Sequence, residues 1–225
     1  MPSFNIVKKS SVNTSYRVER ILSDFDMSKE KGELHIQGNI DIPENWNVGL
    51  IYGGSGTGKT TMIKELFPEA IIEDFSWGEN SFIDDFDKNI PFDQISKTLY
   101  AVGLGSVPSW VRPFKVLSNG EKMRVTLARG LLERDFFVFD EFTSVVDRQV
   151  AKVCSLAISR YCKKNKKKFL AVSCHKDVME WLEPDWAFCT DEMKQNFRFA
   201  HTQEQNLRLE SVGGTNGTDL AVITI

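Results

Sequence analysis

The sequence GGSGTGKT at residues 53–60 follows an apolar stretch, Val48 to Tyr52, and precedes a run of helix-forming residues that ends before Pro68. This order of strand, glycine-rich loop and helix fits the pattern GxxxxGK[ST]. Glycines let the backbone fold closely around an anion, with successive N–H groups pointing inward. The following helix adds its N-terminal amides and the positive end of its dipole. The stretch predicts a phosphate-binding loop, with a glycine-rich hairpin or linker as the alternative.

Each part of this loop has an expected task in binding a nucleotide. Lys59 would reach the β- and γ-phosphates, and the Thr60 hydroxyl would hold a magnesium ion. The backbone amides would bind the remaining phosphate oxygens. The residues assigned to nucleotide binding are Gly53, Gly54, Ser55, Gly56, Thr57, Gly58, Lys59, Thr60 and Thr61.

A second apolar stretch, FFVF at residues 136–139, ends in the acidic pair Asp140 and Glu141. Next to a phosphate loop, Asp140 would contribute to the magnesium shell. Glu141 would polarise the attacking water, either by accepting its proton or by orienting it. A solvated strand end explains an acidic pair taken alone. Beside Lys59 and Thr60 the pair predicts a magnesium–nucleotide site.

The rest of the chain alternates between strand and helix patterns, which is typical of a parallel sheet covered by helices. The sequence predicts helices over 94–102, 118–133 and 147–164, and strands over 70–72, 169–173 and 186–190. Residues 34–37 alternate like an exposed antiparallel strand. The expected fold is therefore the α/β fold of P-loop NTPases, with a mostly parallel sheet, an N-terminal antiparallel β portion and a short helical subdomain.

We expect a single domain over residues 1–225. Its parts are an N-terminal β portion (1–47), a P-loop core (48–75 and 135–205), a helical subdomain (76–134) and a C-terminal hairpin or tail (206–225).

Composition excludes several classes of protein. The chain has 225 residues, 41% of them apolar and 26% charged, which rules out a disordered tail, a collagen-like chain and a long coiled coil. The net charge of −3 does not indicate a nucleic-acid or membrane partner. Lys163 to Lys168 is lysine-rich, and either a solvated helix end or a contact to a nucleic-acid backbone explains it.

Met1 to Ser15 is polar and lacks the apolar core of a secretory signal. The four cysteines show no metal-ligand spacing, so we expect a reducing, cytoplasmic location.

The segment LSNGEK at residues 117–122 opens a further helix. Ser118 is a good N-cap residue, and a serine with free amides at a helix N-terminus forms a second anion site. One chain does not need two such sites for one γ-phosphate. Two chains facing head to tail would use both, each closing its Ser118 helix on the nucleotide of the other. The segment predicts a homodimer that forms on ATP binding.

Together these motifs resemble one family. They are GGSGTGKTT (53–61), LSNGE (117–121), FVFDE (137–141), SVVD (144–147) and SCH (173–175). Their order and spacing are similar to those of ABC-type ATPases, the nucleotide-binding domains of ATP-binding cassettes. The resemblance covers roughly Leu50 to Trp186. The stretch PSWVRP at 108–113 and the later motifs are most similar to a soluble branch found in phages and bacteria.

The resemblance implies further roles. His175 would be the switch histidine that touches the γ-phosphate, although a satisfied histidine at a strand end is the alternative. Asp147 would lie at the dimer seam. The implied catalytic residues are Glu141, His175 and Lys59; the implied signature residues, acting on the partner's nucleotide, are Ser118, Asn119, Gly120 and Glu121; the implied metal ligands are Thr60, Asp140 and Gln94.

The sequence also departs from the family's pattern. Asn119 replaces the usual first glycine of the signature, and asparagine is the residue besides glycine that best tolerates a left-handed conformation. Glu121 replaces the common glutamine, as in chromosome-maintenance and DNA-repair cassettes. No clear Q-loop is present, so Gln94 is a candidate with Asp84 as its rival. The aromatic residue that stacks on adenine is Tyr16 or Phe25, unless both pack in the core.

The expected function is hydrolysis of ATP to ADP and phosphate, with Mg²⁺ as cofactor, by a homodimer that acts on an unknown effector protein. A membrane partner is not expected, because residues 76–117 are a short segment for a module that has to dock a membrane domain. The alternatives are the ATP-binding subunit of a transporter, a nucleotide-gated clamp or scaffold on DNA or protein with slow hydrolysis, and a small-molecule P-loop kinase.

Overall fold

The computed structural model describes residues 3–9, 15–26, 33–72 and 75–196. Its regular elements are β1 (Ser3–Lys9), α1 (Tyr16–Asp24), β2 (Glu33–Asn39), β3 (Val48–Tyr52), α2 (Lys59–Leu66), α3 (Phe92–Ala101), α4 (Val107–Trp110), α5 (Asn119–Glu133), β4 (Phe136–Phe139), α6 (Arg148–Asn165), β5 (Lys168–Ser173), α7 (Val178–Leu182), β6 (Trp186–Cys189) and β7 (Lys194–Asn196). Two short 3₁₀ helices, Phe82–Asp85 and Phe114–Val116, flank α3 and α4.

The main sheet has the strand order β4-β5-β3-β6-β7. Its first four strands are parallel, and β7 pairs antiparallel with β6. The predicted α/β fold with a mostly parallel sheet is therefore confirmed. The strand predicted at residues 70–72 is reduced to a single bridge between Ile71 and Val138, beside β4. Because β3 lies between β5 and β6, the loop after β3 leaves from the middle of the sheet's carboxyl edge, where ligands of such sheets bind.

Strand β3 is fully buried because the sheet is covered on both faces. Successive side chains of a strand point to opposite faces. Val48, Leu50 and Tyr52 accordingly pack in one core, which includes residues of α3, α5 and α6. Ile51 packs in the second core, which contains Met62 and other residues of α2 together with two tryptophans. This double burial explains why the strand reads as a continuous apolar run.

Gly49 provides a test of packing in the second core. A Cβ atom there would lie 2.6 Å from Cζ2 and 2.7 Å from Cε2 of Trp186, whose side chain is fully buried. We expect Gly49→Ala to lower the free energy of unfolding by about 2–3 kcal/mol, since overpacking a rigid core forces side chains out of their preferred positions. Chemical denaturation measures this change. Gly105→Ala is the matched control, because its Cβ would approach Tyr100 no closer than 3.7 Å. Equal unfolding free energies for the two variants would contradict the packing argument.

The helices between residues 76 and 134 lie on the first core. The Trp77 and Phe114 rings stack with centroids 4.0 Å apart. The buried Trp110 ring donates from Nε1 to the Leu104 carbonyl at 3.0 Å. These contacts pack the segment into a short helical subdomain, the kind of structure that the sequence predicts. The boundaries of the domain parts stay a prediction.

The N-terminal β portion pairs β1 antiparallel with β2. Helix α1 between them was not predicted. Its apolar residues recur at helical spacing, but none of its side chains is buried. The hairpin or tail predicted at 206–225 lies outside the described residues.

Candidate functional site

The phosphate loop joins the buried strand β3 to α2. Gly58 is the N-cap residue of α2 and has φ 89°, and Gly56 has φ 82°. Residues other than glycine rarely adopt such angles. The two glycines thus let the loop turn back over the first amides of α2, which have no partners within the helix. This is the geometry that binds anions at helix N-termini.

The turn after β6 contacts the phosphate loop and stabilises its position. The Thr57 and Thr190 hydroxyl oxygens lie 2.6 Å apart, and the Gly54 amide donates to both carboxylate oxygens of Asp191 at 2.9 Å. A Cβ atom on Gly53 would overlap the Thr190 hydroxyl, so only glycine fits there. Sequence reasoning missed Thr190 and Asp191. The available signal was a polar pair placed directly after a strand.

The metal-binding pair predicted from the sequence is brought together. The Thr60 hydroxyl donates to Oδ2 of Asp140 at 2.7 Å, and Oδ1 of Asp140 accepts from the Glu141 amide at 2.8 Å. Nζ of Lys59 donates to the Gly53 and Gly54 carbonyls at 2.9 and 2.6 Å. Lys59 therefore lies against the phosphate loop itself.

The residues fit a magnesium ion of the kind bound with a nucleotide. The described residues contain no cluster of three or more histidine, cysteine or acidic side chains able to hold a metal on their own. Mg²⁺ needs no such cluster when substrate phosphates and water complete its shell. One hydroxyl and one carboxylate, in hydrogen-bond contact, supply the hard oxygen ligands that Mg²⁺ prefers.

Glu141 sits in a tight turn after β4, with φ 51°. Its carbonyl accepts from the Ser144 amide and hydroxyl at 3.0 and 2.8 Å. The Phe142 side chain is fully buried, and the Phe142 amide donates to the Val172 carbonyl of β5 at 2.8 Å. The turn is thus fixed at Phe142, and the exposed Glu141 side chain lines the pocket above the phosphate loop.

This pocket has a volume of about 330 Å³. It is lined by Ser55, Gly56, Gly58, Lys59, Thr60, Thr61, Asp140, Glu141, Ser144, Val172 and Cys174. The loop, the metal pair and Glu141 thus share one cavity. Cys174 and Ser144 were not assigned to the site from the sequence.

His175 follows β5 beside this pocket, and its amide donates to the Ser173 hydroxyl at 3.1 Å. Nδ1 of the His175 ring is buried and has no hydrogen-bond partner in the described part of the chain. His175 does not line the pocket. Its contact with a γ-phosphate stays a prediction.

The signature segment forms the N-terminus of α5. Ser118 is its N-cap, and a capping box joins Ser118 to Glu121. Asn119 is the first residue of the helix and does not have a positive φ, so its tolerance of a left-handed conformation is not needed here. A Cβ atom on Gly120 would lie 3.2 Å from Cγ1 of Val146, a close approach that favours glycine at that position.

Asp147 is the N-cap of α6, and its carboxylate accepts from the Gln149 and Val150 amides at 3.0 Å each. This contact gives Asp147 a local role in starting α6. The place of Asp147 at a dimer seam stays a prediction.

Gln94 does not line the pocket that contains Thr60 and Asp140, and its role as a metal ligand stays a prediction. Gln94 lines a groove between α3 and the C-terminal half of α6, with Tyr161 on the other side. The rival Asp84 is exposed on the first 3₁₀ helix and does not line the phosphate pocket either.

The two adenine-stacking candidates lie on the surface. Tyr16 is 76% exposed and Phe25 is 73% exposed, so packing of either in the core is wrong. A stacking role for either ring stays a prediction.

Three of the five lysines in the run at 163–168 contact other parts of the chain. Lys163 donates to the Glu183 carbonyl at 3.0 Å, and Lys167 donates to the Arg134 carbonyl at 2.9 Å. Lys168 lies over the Trp46 ring, 5.4 Å from its centroid. These contacts favour the helix-end interpretation of the run.

Within the described residues, no helix combines the length and the apolar character that crossing a membrane requires.

Comparisons with family models and with curated proteins gave no match. Solved structures do match. The dimeric structure of MJ0796, a bacterial ABC transporter cassette, has a TM-score of 0.54 and 16% identity over 82% of this chain and 94% of that one. A dimeric post-hydrolysis MJ0796 structure bound to ADP and Pi has a TM-score of 0.55 and 14% identity over 83% and 92%.

A third structure is the complex of the archaeal ribosomal stalk protein aP1 and the archaeal ribosome recycling factor aABCE1. It gives a TM-score of 0.53 and 21% identity over 63% of this chain. This chain spans 35% of that protein's length, about a third. At these identities the comparisons establish the fold. The strand order, the phosphate loop between β3 and α2 and these structural neighbours together show that the chain has the fold of the nucleotide-binding domain of ABC-type ATPases.

Proposed function

We propose that this chain binds Mg-ATP and hydrolyses it to ADP and phosphate, as one half of a head-to-tail dimer. The observation that carries the proposal is the hydrogen bond between Thr60 and Asp140 at 2.7 Å, in a pocket that also contains Lys59 and Glu141. A loop that binds phosphate, a pair that suits Mg²⁺ and a carboxylate for water activation are thus within one cavity of about 330 Å³.

Each residue has a distinct role in this proposal. The loop amides and Lys59 bind and orient the phosphates, and Thr60 with Asp140 holds Mg²⁺, which when bound adds positive charge beside the phosphate oxygens. The Glu141 carboxylate orients the attacking water and accepts its proton. The Phe142 amide, bonded to Val172, fixes the backbone from which Glu141 extends.

Ser118 supports the dimeric arrangement. It is exposed at the N-terminus of the 15-residue helix α5, where free amides favour an anion. Ser118 does not line the phosphate pocket of its own chain. The similar MJ0796 cassette is dimeric in its solved structures. We therefore assign Ser118 and its helix to the nucleotide held by a second copy of the chain.

The test is ATP hydrolysis as a function of protein concentration. If two copies form the active unit, the activity per protein rises with concentration, and sedimentation with Mg-ATP shows a dimer. Ser118→Arg places a bulky side chain at the helix end and should remove both effects while ATP still binds. Asn89→Arg, on an exposed loop away from the pocket, is the control. No hydrolysis by the wild type, or a Ser118→Arg variant with full activity, would overturn the proposal.

A transporter subunit is the second candidate. It is favoured by the similarity to MJ0796, a bacterial ABC transporter cassette, over 94% of that chain. A stable complex with a membrane protein, whose presence changes the hydrolysis rate, would support this candidate.

The four cysteines are free thiols, which agrees with a proposed cytoplasmic location.

The Cys174 thiol provides an independent measure of nucleotide binding. Cys174 is exposed and lines the phosphate pocket, whereas the other three cysteines are buried. Burial raises the pKa of Cys154 to about 11 and that of Cys162 to about 12, so these two stay protonated and unreactive at neutral pH. We expect a thiol reagent to label Cys174 first, and Mg-ATP to slow that labelling several-fold.

Mass spectrometry of the labelled protein identifies the site. Cys174→Ser should remove the fast labelling. A labelling rate that Mg-ATP leaves unchanged would show that the nucleotide does not occupy this pocket.

A further inference from the structure

The carboxylate of Glu121 is held by three donors. Its Oε2 accepts from the Ser118 amide at 2.9 Å and from the Ser118 hydroxyl at 2.8 Å, and its Oε1 accepts from the Ser109 hydroxyl at 2.8 Å. These bonds, the Ser118 amide foremost, lower the pKa of Glu121 to about 2, and the positive charge of Arg112 acts in the same direction. Glu121 is therefore a carboxylate ion at physiological pH.

In this arrangement the Ser118 hydroxyl already donates its proton to another group. A serine hydroxyl has a single proton to donate. Ser118 donates that proton to Glu121, and its oxygen accepts from the Glu121 amide at 3.3 Å. A phosphate oxygen needs a donor, so Ser118 cannot bond to a phosphate while this contact persists. The negative charge of Glu121 also lies one hydrogen bond away from Ser118.

A separate element keeps Glu121 in place. Ser109 belongs to α4, and only 6% of its surface is exposed. The neighbouring Trp110 is fixed by its own bond to Leu104 and by the Ser81 hydroxyl, which donates to the Trp110 carbonyl at 2.6 Å. The second oxygen of Glu121 is thus anchored to a packed part of the helical segment rather than to solvent.

We propose that Glu121 is a positioning residue that restrains the Ser118 hydroxyl, so that pairing of two copies on ATP has to break the Ser118–Glu121 hydrogen bond. The inference rests on the proposed function, because it concerns the nucleotide held by a second copy. Glu121 opposes closure of the dimer and favours its reopening after hydrolysis.

The test compares dimer formation in a Glu141→Gln background, where bound ATP persists. We expect Glu121→Gln to lower the protein concentration for half-maximal dimer by about five- to tenfold. Glutamine removes the charge and offers one acceptor oxygen to three donors, so the neutral bond to Ser118 is weaker. A capping box accepts glutamine as well as glutamate, so α5 should keep its start. Sedimentation with Mg-ATP measures the dimer.

Two further variants show whether Glu121 acts through Ser118. In a Ser118→Ala background, Glu121→Gln should leave the dimer concentration unchanged, since the hydroxyl is absent. Glu121→Asp keeps the charge and should not tighten the dimer. The ATP affinity of the separate monomers should be the same for all variants. A variant that merely disturbed the fold would change this affinity as well.

The outcomes distinguish the inference from the proposed function. If the Glu141→Gln reference binds ATP but never dimerises, head-to-tail pairing is wrong, and the inference falls with it. If the reference dimerises and Glu121→Gln matches it, only the inference is overturned. Tightening that persists in the Ser118→Ala background also overturns it, since Glu121 would then act by direct repulsion.

Discussion

Glu141→Gln is expected to lower kcat for ATP hydrolysis by about 10²- to 10⁴-fold, the usual contribution of a general base. The amide has nearly the shape of the carboxylate but cannot accept a proton from water. The backbone contacts of Glu141 to Asp140 and Ser144 do not involve its side chain, so the turn should survive. ATP binding should be retained, and the nucleotide-bound dimer should accumulate.

Rapid-quench kinetics and sedimentation measure the two effects. Glu180→Gln, an exposed glutamate on α7, is the matched control and should hydrolyse ATP at the wild-type rate. If Glu141→Gln keeps full turnover, water is activated by another group and the assignment of Glu141 is wrong.

Lys59→Ala is expected to weaken ATP binding by about 10- to 100-fold, which corresponds to the loss of one or two charge-assisted hydrogen bonds. The ammonium group donates to the Gly53 and Gly54 carbonyls, at the start of the loop that would bind the phosphates. Its removal takes away both the positive charge and a contact that holds the loop. Calorimetric titration of the protein with Mg-ATP measures the affinity.

Lys64→Ala removes the same charge from the same helix, at a residue that does not line the phosphate pocket. It should bind ATP as tightly as the wild type. Equal losses of affinity in the two variants would mean that the net charge of α2, rather than the position of Lys59, determines binding.

The core of the site could be predicted from the sequence because its signals are local. The loop at 53–60 contains its glycines, its lysine and its helix start within one short stretch. The pair Asp140 and Glu141 directly follows a strand whose apolar run marks it as buried. The carboxyl ends of parallel strands meet at one edge, so Thr60 and Asp140 come together although they are 80 residues apart.

Other parts could not be predicted because they depend on packing between distant segments. Asp191 contacts Gly54 across 137 residues, and its position directly after a strand does not show which loop it contacts. The assignment of Gln94 rests on its distance from the loop along the chain, and that distance does not determine where α3 lies. Helix α1 was not predicted, although its apolar residues recur at helical spacing. These residues, Ile21 among them, are not buried against any other described part of the chain.

The bond from the Phe142 amide to the Val172 carbonyl has a consequence for how such a protein can evolve. The proposed base at Glu141 and the histidine at 175 both extend from backbone attached to the end of one strand. A substitution in the interior that shifts this strand alters both groups at once. If the chain hydrolyses ATP as proposed, selection on the hydrolysis rate therefore also acts on interior residues such as Phe169, which is fully buried in β5.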